Sequence, residues 1–180
     1  MKSKNDLRKF AKDLRKTLDI RKISADILRI FLSSNLYTQA NNIGIYYPFG
    51  DELDLRSLFL DNTKNYYLPK ISQDGSLTFH PYRQGDNLEQ NKYGIFEPIS
   101  ESINPQLLDT IIVPALICDL AGYRLGYGKG YYDIFFKRSS FTGNKLIFIP
   151  EELLVEKLCT DTWDIPANAL ITQKRIHFPS

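Results

Sequence analysis

The spacing of apolar side chains predicts two helices in the first thirty residues. Leu7, Ala11, Leu14 and Leu18 recur every three or four positions, and Lys and Arg occupy the positions between them. This is the period of a helix that buries one stripe. A break at about residues 19–22, with Ser24 as a cap, predicts the start of a second helix. We therefore expect a basic helical segment over about residues 1–34.

Beyond that segment, short runs of β-branched and aromatic residues predict strands, and longer amphipathic runs predict helices. The predicted strands are 43–47, 66–68, 77–80, 110–113, 146–149 and 169–172, the predicted helices are 53–60, 131–138 and 151–158, and 83–94 is predicted to be a loop. Alternation of strands and helices favours a three-layer α/β fold with a mostly parallel central sheet. With no linker or repeat visible, we expect one domain over residues 1–180.

Charge and composition exclude several classes of protein. The 23 Lys and Arg residues nearly balance the 21 Asp and Glu residues, so the net charge is only +2, which argues against a dedicated nucleic-acid-binding module. The longest apolar run, 111–118, is far shorter than the roughly 20 residues that span a bilayer. Cys118 and Cys159 form neither a disulfide framework nor a zinc spacing. These features predict a cytoplasmic protein without membrane or nucleic-acid partners.

The most informative motif is a glycine-rich stretch over residues 122–133, where four of the ten glycines fall within nine positions. Glycines between a strand and a helix let backbone N–H groups approach an anion, and the helix N-terminus favours negative charge. Arg124 and Lys129 add cations, and Asp133 is a candidate Mg²⁺ ligand. The stretch predicts a phosphate or nucleotide site, whereas glycines alone would be more typical of a mobile surface loop.

Two well-known phosphate-binding motifs do not fit this stretch. Gly126, Gly128 and Gly130 have the spacing G-x-G-x-G, not the G-x-G-x-x-G of dinucleotide-binding proteins. Five residues separate Gly122 from Gly128, and Gly130 follows the lysine, so the loop is not a Walker A motif either.

The stretch instead resembles the signature of the 5-formyltetrahydrofolate cyclo-ligase family. Further pieces of the resemblance occur in the expected order and are Lys4-x-x-x-Arg8, Tyr46-Tyr-Pro48, Asp51-Glu-Leu-Asp54, Leu68-Pro-Lys70, Gly94-Ile-Phe-Glu97-Pro98, Val113-Pro-Ala-Leu116 with Asp119, Trp163-Asp164 and Ile171-Thr172. The resemblance covers nearly the whole chain. It implies a fold similar to sugar-phosphate isomerases and CoA transferases.

The resemblance also implies a reaction. Family members use Mg-ATP to convert 5-formyltetrahydrofolate into 5,10-methenyltetrahydrofolate, with release of ADP and phosphate through a phosphorylated formyl group. It implies Mg²⁺ as the metal, ATP as co-substrate, small molecules as the only partners, and a monomer. Phosphoryl transfer depends on alignment and charge neutralisation, which suits a chain with no visible Ser-His-Asp arrangement.

The resemblance assigns roles to individual residues. It implies catalytic roles for Arg124 and Lys129, and metal binding by Asp133 and Asp164. The implied ATP-binding residues are Lys4, Arg8, Arg124, Leu125, Gly126, Tyr127, Gly128, Lys129, Gly130, Tyr131 and Tyr132. The implied substrate-binding residues are Tyr47, Glu52, Tyr127, Gly128, Lys129, Gly130 and Tyr131.

Without the resemblance, simpler roles compete at several positions. Lys4 and Arg8 would belong to a solvated helix face, and Glu52 would cap the helix predicted after it. Trp163 is expected in the core, as is Cys118, which with Asn168 departs from the family pattern. The effect of these two departures on metal and substrate contacts is left open.

Two other functions stay open at this level. An isomerase of the same fold could use the glycine loop for a sugar phosphate without ATP turnover. A nucleic-acid-binding module could stack bases on the eleven tyrosines, although the near-neutral charge argues against it.

Overall fold

The computed structural model describes residues 3–179. Its helices are α1 (Lys4–Arg15), α2 (Ile20–Leu32), the single turn α3 (Asn35–Thr38) and α4 (Tyr131–Arg138). Helix α1 begins at a capping box, in which Ser3 Oγ accepts from the Asp6 N–H and the Asp6 carboxylate accepts from the Ser3 N–H. The predicted N-terminal segment is helical from Lys4 onward, and residues 1 and 2 lie outside the described part of the chain. No helix within residues 3–179 is long and apolar enough to cross a bilayer.

Twelve strands are defined within the described residues. They are β1 (Asn42–Ile45), β2 (Asn65–Ile71), β3 (Leu77–Tyr82), β4 (Leu88–Gln90), β5 (Phe96–Pro98), β6 (Thr110–Ile112), β7 (Ile117–Asp119), β8 (Arg124–Leu125), β9 (Asn144–Phe148), β10 (Leu154–Val155), β11 (Ala169–Ile171) and β12 (Ile176–His177). Seven form the main sheet in the order β12-β11-β9-β6-β1-β2-β3. Its five inner strands, β11 to β2, run parallel, and the edge strands β3 and β12 pair antiparallel. The prediction of a mostly parallel central sheet is confirmed.

Both faces of the main sheet are buried, which explains the continuous apolar runs in its strands. Side chains of one face belong to a core with Ile27 and Phe31 of α2. Those of the other face belong to a core with Ala11 of α1 and Phe135 of α4. Successive strand residues alternate between the two cores, as Ile111 and Ile112 do. Helices on both faces of a sheet make the predicted three-layer α/β architecture.

Two predicted helices are wrong. Residues 53–60 hold only a 3-10 helix, Arg56–Leu60, because Leu53 and Leu55 are buried on either side of the more accessible Asp54, which is an extended pattern. Residues 151–158 form a 3-10 turn, Glu151–Leu153, followed by β10, since the backbone of β10 pairs with β7.

Three smaller expectations also change. Asp19 rather than Ser24 caps α2, and Ser24 Oγ instead accepts from the Asp54 N–H at 2.9 Å. The predicted loop 83–94 contains β4, which pairs with β5 in a hairpin. The strand directly before the glycine loop was expected to be the one that ends near Val113, but it is β8, in a three-stranded sheet ordered β10-β7-β8. Gly122 lies in the turn before β8 with φ 88°, and a Cβ there would lie 2.8 Å from the Ala167 carbonyl oxygen.

The sheet places a crevice at a defined edge. From β1 the chain continues to β2 on one side, while β6 lies on the other side of β1. Ligands of open α/β sheets bind beyond the carboxyl ends of strands at such a reversal. The residues that follow β1 and β6, Tyr46 and Pro114 among them, line a large cavity.

Candidate active site

A cavity of about 920 Å³ opens at the carboxyl ends of β1 and β6. This is the upper end of the range typical of small-molecule sites. Every site residue that the sequence predicts lines it, and these are Lys4, Arg8, Tyr47, Glu52, the continuous run 124–133, and Asp164. The structure thus brings together residues from four separate parts of the chain. Their individual roles remain predictions.

The glycine loop, residues 126–130, connects β8 to α4 and forms one wall of the cavity. Gly130 is the N-cap of α4 in the left-handed conformation, with φ 68°. Helix α1 lies against the loop, because Arg8 Nε donates to the Gly126 carbonyl oxygen at 3.0 Å. A Cβ on Gly128 would lie 3.3 Å from the Arg8 guanidinium carbon. The loop therefore has free backbone N–H groups at the start of α4 and a guanidinium beside it, which suits an anion.

A set of paired charges lies next to the loop, and we call Lys4, Arg124, Asp133, Asp161 and Asp164 the charged cluster. Lys4 Nζ lies 2.5 Å from Asp161 Oδ2 and 3.7 Å from Asp164 Oδ2. Arg124 Nη2 lies 3.0 Å from Asp133 Oδ1, and the Arg124 side chain is only 7% exposed. The hydrogen bond to Asp161 raises the pKa of Lys4 above its usual value, against the smaller effect of burial. The lysine is therefore a cation across the physiological pH range.

The backbone of Ile165 connects the two halves of the charged cluster. Arg124 Nη1 donates to the Ile165 carbonyl oxygen at 3.0 Å, and the Ile165 N–H donates to Asp133 Oδ1 at 3.1 Å. Since Ile165 follows Asp164 directly, the carboxylates of Asp133 and Asp164 belong to one part of the cavity.

This donor set fits Mg²⁺ held chiefly by phosphates. Mg²⁺ in nucleotide enzymes usually keeps water and takes one or two protein carboxylates together with phosphate oxygens. Asp133 and Asp164 supply two such carboxylates at the cavity. A cage of three or more His, Cys, Asp or Glu side chains is not found within residues 3–179.

A second set of side chains surrounds Glu52, and we call Phe49, Glu52 and Tyr127 the Glu52 group. Glu52 Oε2 accepts from the Phe49 N–H at 3.0 Å, and Oε1 accepts from the Tyr127 hydroxyl at 3.2 Å. Burial raises the pKa of Glu52, and these two hydrogen bonds lower it to a smaller extent. Burial also raises the pKa of Tyr127, so its hydroxyl stays a donor. A carboxylate in this setting can accept N–H donors from a planar heterocycle.

Aromatic rings continue the wall beyond the Glu52 group. The ring of Tyr47 lies 5.7 Å from that of Phe96 in β5 and 6.2 Å from Phe59 in a stacked arrangement. Phe49, Tyr93 and Phe96 all line the cavity with a third or more of their surface exposed. Exposed aromatic faces in a cavity suit flat ring systems.

Several lining residues are absent from the sequence predictions. Trp163, expected in the core, is 55% exposed and lines the cavity, so that expectation is wrong. Its place beside Asp164 in the resemblance was the signal that could have located it. Asp161, Phe96 and Glu97 also line the cavity.

The two departures from the family pattern lie outside the cavity lining. Cys118 is fully buried in β7, as expected, and burial raises the pKa of its thiol. Asn168 pairs with the backbone of Lys145 through its Oδ1 at 2.8 Å and its own N–H at 2.7 Å. Neither side chain contributes to the cavity wall.

Residues 1–173 match the model of the 5-formyltetrahydrofolate cyclo-ligase family. The chain belongs to this family. Among curated cyclo-ligases, that of Haemophilus influenzae is 34% identical over 142 residues, which cover 71% of this chain and 73% of that protein. The cyclo-ligase of Mycolicibacterium smegmatis is 27% identical and covers 97% of this chain and 95% of that protein.

Solved structures of similar proteins agree with the family assignment. The NMR structure of 5,10-methenyltetrahydrofolate synthetase from Aquifex aeolicus has a TM-score of 0.86 and 32% identity, and the match covers 97% of this chain and 92% of that one. The synthetase from Mycoplasma pneumoniae has a TM-score of 0.75 at 21% identity over 96% of this chain and 99% of that one, a likeness in fold. The chain is therefore an enzyme of the cyclo-ligase family, with the fold seen in these structures.

Proposed function

We propose that the protein converts 5-formyltetrahydrofolate into 5,10-methenyltetrahydrofolate using Mg-ATP, with release of ADP and phosphate. The observation that carries this proposal is that one cavity holds both the charged cluster beside the glycine loop and the aromatic wall around Glu52. A triphosphate and a folate need these two kinds of surface, next to each other. The names of the similar proteins give the same folate substrate and product.

The chemistry follows from the poor leaving ability of the formyl oxygen. This oxygen attacks the γ-phosphorus of ATP, and ADP leaves. The N10 nitrogen then attacks the formyl carbon and loses its proton, and the carbon–oxygen bond breaks with loss of phosphate. The remaining N5–C–N10 bridge is the methenyl product.

The protein's part is to align the substrates and to neutralise charge. We assign Lys4, Arg8 and the loop N–H groups to the phosphates of ATP. Arg124 and Lys129 stabilise the charge that develops during transfer. Mg²⁺, held by Asp133 and Asp164 with phosphate oxygens, would offset the negative charge of the phosphates.

The remaining residues bind the folate. Glu52 accepts N–H donors of the pterin ring, while Tyr47 and Tyr127 lie against its faces. Gly128, Gly130 and Tyr131 border both substrates, and Leu125, Gly126 and Tyr132 complete the nucleotide side.

The test is a turnover assay on the purified protein. Mg-ATP and 5-formyltetrahydrofolate are mixed with the enzyme, and the near-ultraviolet absorbance of the methenyl product is followed. We expect product that requires the enzyme, ATP and Mg²⁺ together, and one ADP for each product molecule. Absence of product from a folded protein that binds ATP would refute the proposal and would favour the isomerase of the same fold.

A further inference from the structure

The buried side chain of Arg15 has no role in the mechanism above. It lies at the end of α1 and is only 3% exposed. Nη1 donates to the Asp51 carbonyl oxygen at 3.2 Å, and Nη2 donates to the Ala115 carbonyl oxygen at 2.6 Å. Nε is buried without a hydrogen-bond partner among the described residues. A guanidinium buried in this way is unfavourable unless another charge or function compensates it.

None of the ion pairs found within residues 3–179 includes Arg15. The Asp51 carbonyl oxygen that it holds belongs to the residue directly before Glu52. The positive charge of Arg15 lowers the pKa of Glu52, against the larger effect of burial. The guanidinium thus acts on Glu52 both through the backbone and through its charge.

The groups that donate hydrogen bonds to Glu52 are neutral. They are the Phe49 N–H and the hydroxyl of Tyr127, with the phenols of Tyr46 and Tyr132 nearby. Burial keeps both of these phenols protonated by raising their pKa values. Two further charges lie on the side of Tyr127, since Lys12 Nζ is 5.7 Å from the centre of its ring and the Asp51 carboxylate raises its pKa. Arg15 is the cation whose charge acts on the Glu52 carboxylate itself.

We propose that Arg15 is a positioning residue of the folate site, which holds the Asp51–Glu52 backbone against the segment after β6 and keeps Glu52 an anion. This inference rests on the proposed folate-binding role of Glu52. Helix α1 then supports the folate site through Arg15, in addition to the proposed phosphate contacts of Lys4 and Arg8.

The test compares R15M with K9M, which removes a positive charge from an exposed position of the same helix. For R15M we expect the KM for 5-formyltetrahydrofolate to rise at least about tenfold, while the KM for ATP changes less than about twofold. For wild type, the folate KM should rise as the pH falls through the pKa of Glu52. In R15M this rise should begin at a higher pH, because the positive charge that lowers the pKa of Glu52 is gone. K9M should match wild type.

A merely structural role for Arg15 predicts a different result. It would lower the melting temperature, change both KM values together or neither, and leave the pH at which the folate KM rises unchanged. That pattern would overturn the inference. Combining R15M with E52Q sharpens the test, since the pH-dependent rise should disappear and the added effect of R15M on the folate KM should fall below about threefold.

R15K covers the case in which R15M does not fold. Its ammonium keeps the charge but cannot donate to both carbonyl oxygens with the geometry of a guanidinium. We expect the folate KM to rise about fivefold with an unshifted pH profile and an unchanged KM for ATP. An unchanged folate KM in R15K would overturn the inference. Absence of product with wild type would instead refute the proposed function, so the two failures are distinguishable.

Discussion

The charged cluster and the Glu52 group border the same cavity but handle charge in opposite ways. In the charged cluster each cation contacts a carboxylate directly, as Lys4 contacts Asp161 and Arg124 contacts Asp133. In the Glu52 group a single carboxylate is held by a backbone N–H and a phenol. The first arrangement is a network of pairs, and the second is one ion among neutral donors.

This difference in charge pairing predicts that the two regions respond to different changes in the solution. Paired charges can exchange partners when phosphates and Mg²⁺ arrive, so salt and nucleotide should influence the cluster most. A carboxylate among neutral donors depends on burial, so pH should influence the Glu52 group most. Substitutions in the two regions should therefore alter the KM for ATP and the KM for the folate separately.

The largest effect is expected for R124A. Loss of the guanidinium that we propose stabilises the transferring phosphoryl group should lower kcat about 10³-fold. Asp133 would also lose its partner in a largely buried pair, so the free energy of unfolding should fall by about 3 kcal/mol. Steady-state kinetics and thermal melting measure the two effects. R21A, at an exposed position of α2, is the control, and wild-type activity in folded R124A would remove Arg124 from the mechanism.

E52Q should affect the folate alone. Its KM for 5-formyltetrahydrofolate should rise about tenfold to thirtyfold, because an ion-assisted hydrogen bond becomes a neutral one. The KM for ATP should stay within about twofold. The control is E156Q, at an exposed position, and equal changes in both KM values would contradict the separation of the two regions.

The same variant should be more stable than wild type at neutral pH. Because burial raises the pKa of Glu52 in the folded state, the folded protein binds this proton more tightly than the unfolded chain does. The contribution of Glu52 to the free energy of unfolding is therefore present at low pH. It is lost as the pH rises through the raised pKa of Glu52. Gln has no charge to bury, so the stability difference from wild type should grow with pH in denaturant titrations. A constant difference between pH 4 and pH 8 would contradict the assigned cause.

K4A should weaken ATP binding. The KM for ATP should rise about fivefold to tenfold through loss of one charge-assisted contact, and the salt dependence of that KM should become shallower. K4R should recover most of the loss. K22A, at an exposed position of α2, serves as the control. An ATP KM in K4A that equals that of wild type would place Lys4 outside the nucleotide site.

The smallest effect is expected for Y127F, which removes the hydroxyl that donates to Glu52. That bond lowers the pKa of Glu52. Without it, the increase of the folate KM at low pH should begin at a slightly higher pH. The folate KM itself should increase about twofold to fivefold. Y123F is the matched control, since Tyr123 does not line the cavity. A larger effect on ATP than on folate would contradict the assignment.

Much of the fold could be predicted because its inner strands are buried on both faces. Runs such as residues 111–113 and 146–149 are continuously apolar, and that pattern is strong even in short strands. The strands β8 and β10 were missed, since two residues carry no measurable period. The pairing of β10 depends on β7, which is distant in the chain, and it changed residues 151–158 from a predicted helix to a 3-10 turn followed by a strand.

The site residues also divide into those that the sequence could locate and those that it could not. The glycine loop and α4 could be located from residues 122–133 because all of their chemistry is local. Trp163 was signalled only by its place beside Asp164 in the resemblance. Phe96 and Asp161 could not be located, since their place in the wall follows from segments that the tertiary fold brings to the cavity. Arg15 resembles any other lysine or arginine of a basic amphipathic helix until its carbonyl partners are known.

The docking of α1 sets the order in which the active site can be completed during synthesis. Lys4 contacts Asp161, which lies 157 positions further along the chain, and Arg8 contacts Gly126, 118 positions away. Helix α1 therefore leaves the ribosome well before the residues that it contacts. We therefore expect nascent or truncated chains to be inactive until residues near 165 are free to fold.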